Sequence, residues 1–183
     1  LARDETGCRL ELVDTDETRA MFPFAFSLVI EYRIEHGTLS VSYCVTNPDS
    51  ARVLPASLGA PPAFIWPLAP DVPKNRHVIT FDEPEPAPIR RLHGGLLLPE
   101  ALPTPSRGRT LALDEALFAP DALILDRLAS HGLTYHIPDG PGLRLTWEGF
   151  PYLGLWMKPG GDFLCIEPWH GIASPVGFSG EFS

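Results

Sequence analysis

The sequence predicts an all-β protein of antiparallel strands, and three observations carry that prediction. Apolar and polar residues alternate at a period of two in several segments, the pattern of a strand with one buried face. The 21 prolines and 16 glycines of the 183 residues punctuate these apolar segments as loop and turn residues. No amphipathic stretch is long and uninterrupted enough for a long helix.

The clearest element follows Phe24. Phe26, Leu28, Ile30, Tyr32 and Ile34 are apolar, and Ser27, Glu31, Arg33 and Glu35 lie between them. Glu35-His36-Gly37-Thr38 supplies a turn, after which Leu39, Val41, Tyr43 and Val45 resume the alternation, so the segment reads as a β-hairpin. Residues 52 to 68 form a short apolar stretch broken by prolines, and 70 to 110 read mostly as loop with short strands such as "HVITF". "LDEALFAPDALIL" (113 to 125) reads as a helical turn near Asp114 followed by a strand, and "GLRLTWEGF" as another alternating strand.

The last hairpin, "YLGLWMKPGGDFLCIEPW" (152 to 169), turns at Pro-Gly-Gly-Asp. Centring the turn on Gly160-Gly161 pairs Lys158 with Phe163, Trp156 with Cys165 and Gly154 with Glu167. Leu153, Leu155, Met157, Leu164 and Ile166 then share a core-bound face. The opposite face shows Trp156, Lys158, Phe163, Cys165 and Glu167, with Gly154 leaving room opposite the carboxylate. An aromatic plate, an ammonium and a carboxylate beside a gap form a floor suited to a polyhydroxylated ring. Pro168 biases Glu167 toward extended backbone, which directs its side chain off the sheet. A slip of one residue would dismantle this face.

Composition bounds the function. A length of 183 residues suits one domain with a real core, spanning 1–183. The formal net charge of −9 disfavours a nucleic-acid partner, because phosphate contacts need clustered Lys and Arg. No apolar run approaches the ~18 residues that span a bilayer, so no membrane is expected. Cys8, Cys44 and Cys165 are odd in number and lack CxxC spacing, which favours buried free thiols in a reducing, cytoplasmic compartment. The chain opens at Leu1 without Met, which reads as the C-terminal part of something longer.

"SLGAPPAFIWPL", "LFAPDALIL", "WEGFPYLGLWMKPG" and "FLCIEPWHGIASPVGF" together resemble the aldose 1-epimerase (galactose mutarotase) family, in particular its LacX-like and hexose-6-phosphate-epimerase-like branch. The resemblance implies a galactose mutarotase-like β-supersandwich of antiparallel strands, here lacking its N-terminal strands. It also implies cofactor-free interconversion of the α and β anomers of a hexose or hexose phosphate, with no residue assigned to a metal. Such a reaction needs a base for the anomeric hydroxyl proton and an acid for the ring oxygen, each worth roughly 10²–10⁴-fold. Glu167 falls on the family's catalytic glutamate. The family's acid histidine stands in Gly-x-His-Pro-x-Phe, and here the stretch is Gly59-Ala60-Pro61-Pro62-Ala63-Phe64, so Pro61 occupies its place. A second family histidine belongs to a motif that would precede Leu1, and Arg3 matches the arginine after that motif, a substrate contact in the phosphate-using branch. Asp121 matches an aspartate that contacts sugar hydroxyls, and Phe64, Trp156 and Lys158 join Arg3 and Asp121 as candidate substrate-binding residues.

Alternatives remain open at the level of sequence. His170 in "EPWHG" is a candidate substitute acid, whereas turn or surface placement is the default for His36, His77, His93, His131 and His136. Loss of the acid with retention of aromatics is also the pattern of a non-catalytic carbohydrate-binding relative. A sandwich glycoside hydrolase would need a carboxylate pair, for which Glu148 and Glu167 are the attractive choice.

Overall fold

The computed structural model describes residues 1–180. Its secondary structure is almost entirely antiparallel β, distributed over two compact units, one built on Leu1–Ala56 and one beginning at Ser57.

The first unit is a four-stranded sheet in the order β1 (Ala2–Arg3), β2 (Gly7–Val13), β3 (Ser27–Glu35), β4 (Thr38–Thr46). The expected hairpin is β3–β4, paired from Ser27–Thr46 to Glu35–Thr38. His36 (φ 50°) and Gly37 (φ 76°) both adopt the left-handed conformation that a two-residue hairpin turn requires. A short helix not anticipated from sequence, α1 (Asp16–Met21), joins β2 to β3. Thr15 caps it reciprocally: its hydroxyl accepts from the Thr18 amide at 3.2 Å, and the Thr18 hydroxyl accepts from the Thr15 amide at 2.8 Å. Threonine at the third helical position stands where this box usually shows Glu or Gln, so the motif is easily overlooked.

The second unit holds β5 (Ala63–Ile65), β6 (Val78–Phe81), β7 (Leu92–His93), β8 (Leu96–Leu97) and β9 (Thr110–Ala112). These are followed by β10 (Leu123–Leu125), β11 (Gly132–His136), β12 (Gly142–Thr146), β13 (Tyr152–Trp156) and β14 (Phe163–Trp169). One sheet runs β10-β13-β14-β5, another β12-β11-β6-β9, and β7–β8 form a ribbon. The two sheets share one core. Leu123, Leu125, Leu153, Leu155, Leu164 and Ile166 of the first meet Ile79, Phe81, Leu111, Leu133 and Tyr135 of the second. The helical turn read near Asp114 is a 3₁₀ turn over Glu115–Phe118, with the Asp114 carboxylate accepting from the Ala116 amide at 2.8 Å.

The β13–β14 register agrees with the sequence reading at Gly154–Glu167 and Trp156–Cys165, and Leu153, Leu155, Met157, Leu164 and Ile166 are all buried. The ladder stops there, however, and the expected Lys158–Phe163 pair is not part of it. The Gly161 amide donates to Lys158 O at 2.8 Å across Pro159 and Gly160 (φ 75°), a Pro-Gly turn that uses the Lys158 carbonyl for its own closure. Phe163 instead pairs with Ile65 on β5. Lys74 fastens this tip, donating to Gly161 O at 2.7 Å and pairing with Glu115 (2.7 Å) and Asp162 (3.2 Å).

The expectation of buried thiols needs correction. All three cysteines are free, but only Cys165 is buried; Cys8 is intermediate and Cys44 exposed. Cys44 lies opposite Val29 and shares its face of β4 with Ser42, the polar side of the alternation. Among the described residues no helix is long and apolar enough to cross a membrane.

Candidate functional site

The sheet β10-β13-β14-β5 buries one face in the core and turns the other toward a smaller set of groups. Alternation along β14 sends Leu164 and Ile166 inward and places Cys165, Glu167 and Trp169 together on the second face. Across the sheet, Ile124, Gly154 and Glu167 stand in one row. The row continues onto the strand that leads into β5. Ala63 pairs with Cys165 and Gly59 bridges to Trp169, so Pro61 lies opposite Glu167. Amides donate from Ile166 to Pro62 O, from Ala60 to Pro168 O and from His170 to Leu58 O, at 3.2, 3.0 and 2.7 Å. Those alternating bonds make Pro61–Glu167 the non-hydrogen-bonded pair between two bonded ones, the arrangement that brings Cα atoms to about 4.5 Å and side chains closest. The position that carries a histidine in the family pattern is therefore the immediate cross-strand neighbour of Glu167. Proline is accommodated there because this is the edge strand and an amide at that position would point away from β14.

Glu167 is half-buried, and burial pushes its carboxyl above the ordinary range. Hydrogen bonds from the Trp169 indole and the Cys165 thiol oppose that rise without cancelling it. Trp169 Nε1 donates to Glu167 Oε2 at 3.1 Å. The Cys165 thiol is pushed up to about 11, first by burial and then by the adjacent Glu167 charge, so it stays a thiol at neutral pH.

The room expected above Gly154 is filled. A Cβ at Gly154 would stand 2.4 Å from the six-membered ring of Trp169, and one at Gly59 would stand 2.9 Å from Cδ1 of the same indole. The ring of Trp169 thus covers the gap beside the carboxylate. It packs with Trp156, Leu92 and Ile172 against buried Leu97, Ala122 and Ile124, forming an apolar floor on this face.

Beyond β10 a cleft of about 890 Å³ opens, lined by Arg91, His93, Glu100, Phe118, Asp121 and Trp156 among others. Asp121 holds a left-handed backbone (φ 76°) at the corner before β10, exposed, with its Oδ1 accepting from the Ala122 amide at 2.6 Å. Arg91, 8% exposed, fixes that corner: Nη1 donates to Asp121 O at 2.8 Å and Nη2 to Leu117 O at 2.7 Å. Burial draws the Arg91 guanidinium down, and the Asp121 charge works in the opposite direction.

The structure therefore brings Trp156, Glu167 and the Pro61 position onto one sheet face and puts Asp121 with Trp156 in the adjoining cleft. The other candidates stand elsewhere. Phe64 lies opposite Leu164 and packs against the main core. Lys158 is exposed at the hairpin turn and Arg3 is exposed in β1 of the first unit, opposite Cys8. His170 is exposed, its amide bound to Leu58 O. Glu148 is exposed in the turn that follows β12, on the other sheet, so nothing pairs it with Glu167. His77 is buried, accepting from the Leu68 amide at Nε2 (2.9 Å), a packing role. Among the described residues no group of three or more His, Cys, Asp or Glu could hold a metal ion.

Sequence reasoning missed Trp169 and Arg91, while His93 keeps the surface placement expected of it, exposed in β7 at the rim of the cleft. Trp169 was accessible from alternation, two residues beyond Glu167 and therefore on its face. Arg91 reaches the cleft through the β7 loop, and no periodic signal marks such a position.

Over 158 residues, 84% of its length, the chain is 32% identical to the plasmid and chromosomal LacX proteins of Lactococcus lactis subsp. lactis, covering 53% of each. A galactose mutarotase-like protein from Lactobacillus casei has the same fold, with a TM-score of 0.81 and 28% identity over 93% of this chain and 60% of that one. These similarities support an aldose 1-epimerase-like family for the chain. The galactose mutarotase related enzyme from Lactobacillus acidophilus agrees in fold, with a TM-score of 0.85 over 99% of this chain and 61% of that one, at 24% identity. No protein-family model matches the chain. It spans about half the length of the curated relatives it matches.

Proposed function

We propose that this chain carries the base side of an aldose 1-epimerase site, with Glu167 taking the proton from the anomeric hydroxyl of a hexose. The observation that supports this most is the environment of Glu167. Its carboxyl is half-buried, raised above the ordinary carboxylate range and oriented by an indole donor. A base poised upward in this way removes a hydroxyl proton more readily than a fully solvated carboxylate does. Trp156 supplies the apolar plate for the sugar ring, and Asp121 accepts from its hydroxyls in the adjoining cleft. Opening the ring also requires a proton donor at the ring oxygen, and Pro61 supplies none.

A second reading has its own observation. Because Pro61 occupies the position across from Glu167, a sugar-binding protein without turnover fits the same face. A phosphorylated sugar enters the proposal only through Arg3 and Lys158, both exposed. We place the protein in a reducing compartment, the cytoplasm, on its three free thiols. We take both units as parts of one domain, since the LacX similarity covers 84% of the chain.

Exchange between α- and β-glucose, and between the anomers of glucose 6-phosphate, is measured by NMR for the protein and its Glu167→Gln variant. Exchange above the buffer rate that falls roughly 10²–10⁴-fold in the variant supports the epimerase. Shifted sugar resonances with exchange at the buffer rate in both proteins support binding alone.

A further inference from the structure

We propose that Trp169 is the positioning residue of the Glu167 carboxylate: its indole, wedged between two glycines, holds Oε2 by a single N–H donor and fixes the direction in which the carboxylate faces the sheet. The inference rests on Glu167 being the functional carboxylate of this face.

Three independent features converge on it. The hydrogen bond is direct, Nε1 to Oε2 at 3.1 Å. The ring has little freedom, because Gly154 on one side and Gly59 on the other approach it more closely than any residue with a Cβ could. Neither glycine adopts a left-handed backbone, so the absence of a side chain serves the space the ring needs rather than a turn. The third feature is the apolar packing of the indole with Trp156 and Ile172 against Leu97 and Ile124, which resists rotation of the ring away from the carboxylate.

A strand side chain two residues along would ordinarily stand parallel to its neighbour, leaving a glutamate free to sample several rotamers. Here the indole leans across Gly154, the cross-strand partner of Glu167, and meets the carboxylate from the side. An N–H donor in a partly desolvated site also favours the ionised acid, which keeps the carboxylate available as a base despite its burial.

That last point separates positioning from space-filling. If the indole only fills space, Trp169→Phe admits water to the carboxylate and leaves its titration unchanged or moved downward. If the indole donates, losing the N–H moves the titration upward.

The test is a carbon-13 NMR titration of Glu167, assigned by its disappearance in Glu167→Gln, in the full chain and in Trp169→Phe. The expected result is an apparent pKa higher in the variant. An unchanged or lower value overturns the proposal. A second measurement needs no change at Trp169: the indole N–H resonance, followed with pH in the unaltered chain, is expected to shift with the titration of Glu167 and to lose that step in Glu167→Gln. A resonance indifferent to the state of Glu167 also overturns it. Where anomer exchange is detected, the acid limb of its pH profile moves upward in Trp169→Phe. Where none is detected, the epimerase reading fails while both titrations still decide the role of Trp169.

Discussion

At the scale of single residues, Glu167 is held where it costs stability. Its carboxyl is raised above the ordinary value chiefly by burial, so folding disfavours its ionised form. Below the unfolded-state pKa the acid is neutral in both states and the penalty is absent. As the pH rises, the unfolded chain releases its proton first and the folded state loses stability, until the folded group has ionised as well. Glu167→Gln keeps the shape, and its amide oxygen can still accept from the Trp169 indole, but it carries no charge. The variant is therefore expected to unfold at a higher temperature than the unaltered chain at neutral pH, with the two converging below about pH 4. Thermal melts across pH measure this. A variant less stable at neutral pH would show that hydrogen bonds to the carboxylate outweigh its desolvation.

At the scale of elements, the β13–β14 hairpin positions Glu167 and Trp156, and Lys74 ties its tip to the preceding loop. The Lys74 side chain is 19% exposed, and its ammonium donates to Gly161 O and pairs with Glu115 and Asp162. The Trp66 indole binds Lys74 O at 3.0 Å, and the Trp66 amide binds Asp162 O at 3.1 Å, so one cluster closes loop and turn together. Lys74→Met removes the charge while keeping most of the stem, and is expected to cost about 1–3 kcal/mol in chemical denaturation. A loss below about 0.5 kcal/mol would mean that the turn is held by its backbone alone. The hairpin also shows what sequence could reveal. Its register followed from two apolar alternations meeting at a glycine pair, because a slip by one would have exposed Leu153, Leu155, Leu164 and Ile166. The space above Gly154 was misjudged, since a missing side chain reads equally as an opening or as a seat for another ring. Only the tertiary placement of Trp169 decides between those. Phe64 shows the same ambiguity: its motif suggested a ligand contact, and the structure pairs it with Leu164 and packs it, partly buried, against the core.

At the scale of the whole molecule, the two units differ in how they bury apolar surface. The second has a continuous core in which Trp66, Ile79, Phe81, Leu133, Tyr135, Leu153, Leu155, Leu164 and Ile166 are fully buried. None of the described residues in Leu1–Ala56 is buried, although β3 is partly covered along most of its length. The alternation there is as regular as in β13 and β14, with Leu28 between Leu12 and Val45, and Ile30 between Leu10 and Tyr43. Leu10, Leu12 and Val45 nevertheless remain at least 40% exposed. Periodicity thus specifies which face of a strand is apolar but not how deeply that face is covered. Opening a sheet with little buried apolar area exposes little new surface, so its local free energy of opening lies well below that of a core sheet. Hydrogen exchange is expected to give β3 and β4 amides roughly tenfold or more lower protection than β13 and β14 amides in this chain, a gap of about 1.4 kcal/mol. Equal protection would show that the two units open as one cooperative body. The first outcome would leave Glu167 and Trp169 on a sheet that stays closed while the first unit opens. The carboxylate titrations would then report on a site that does not depend on the first unit's integrity.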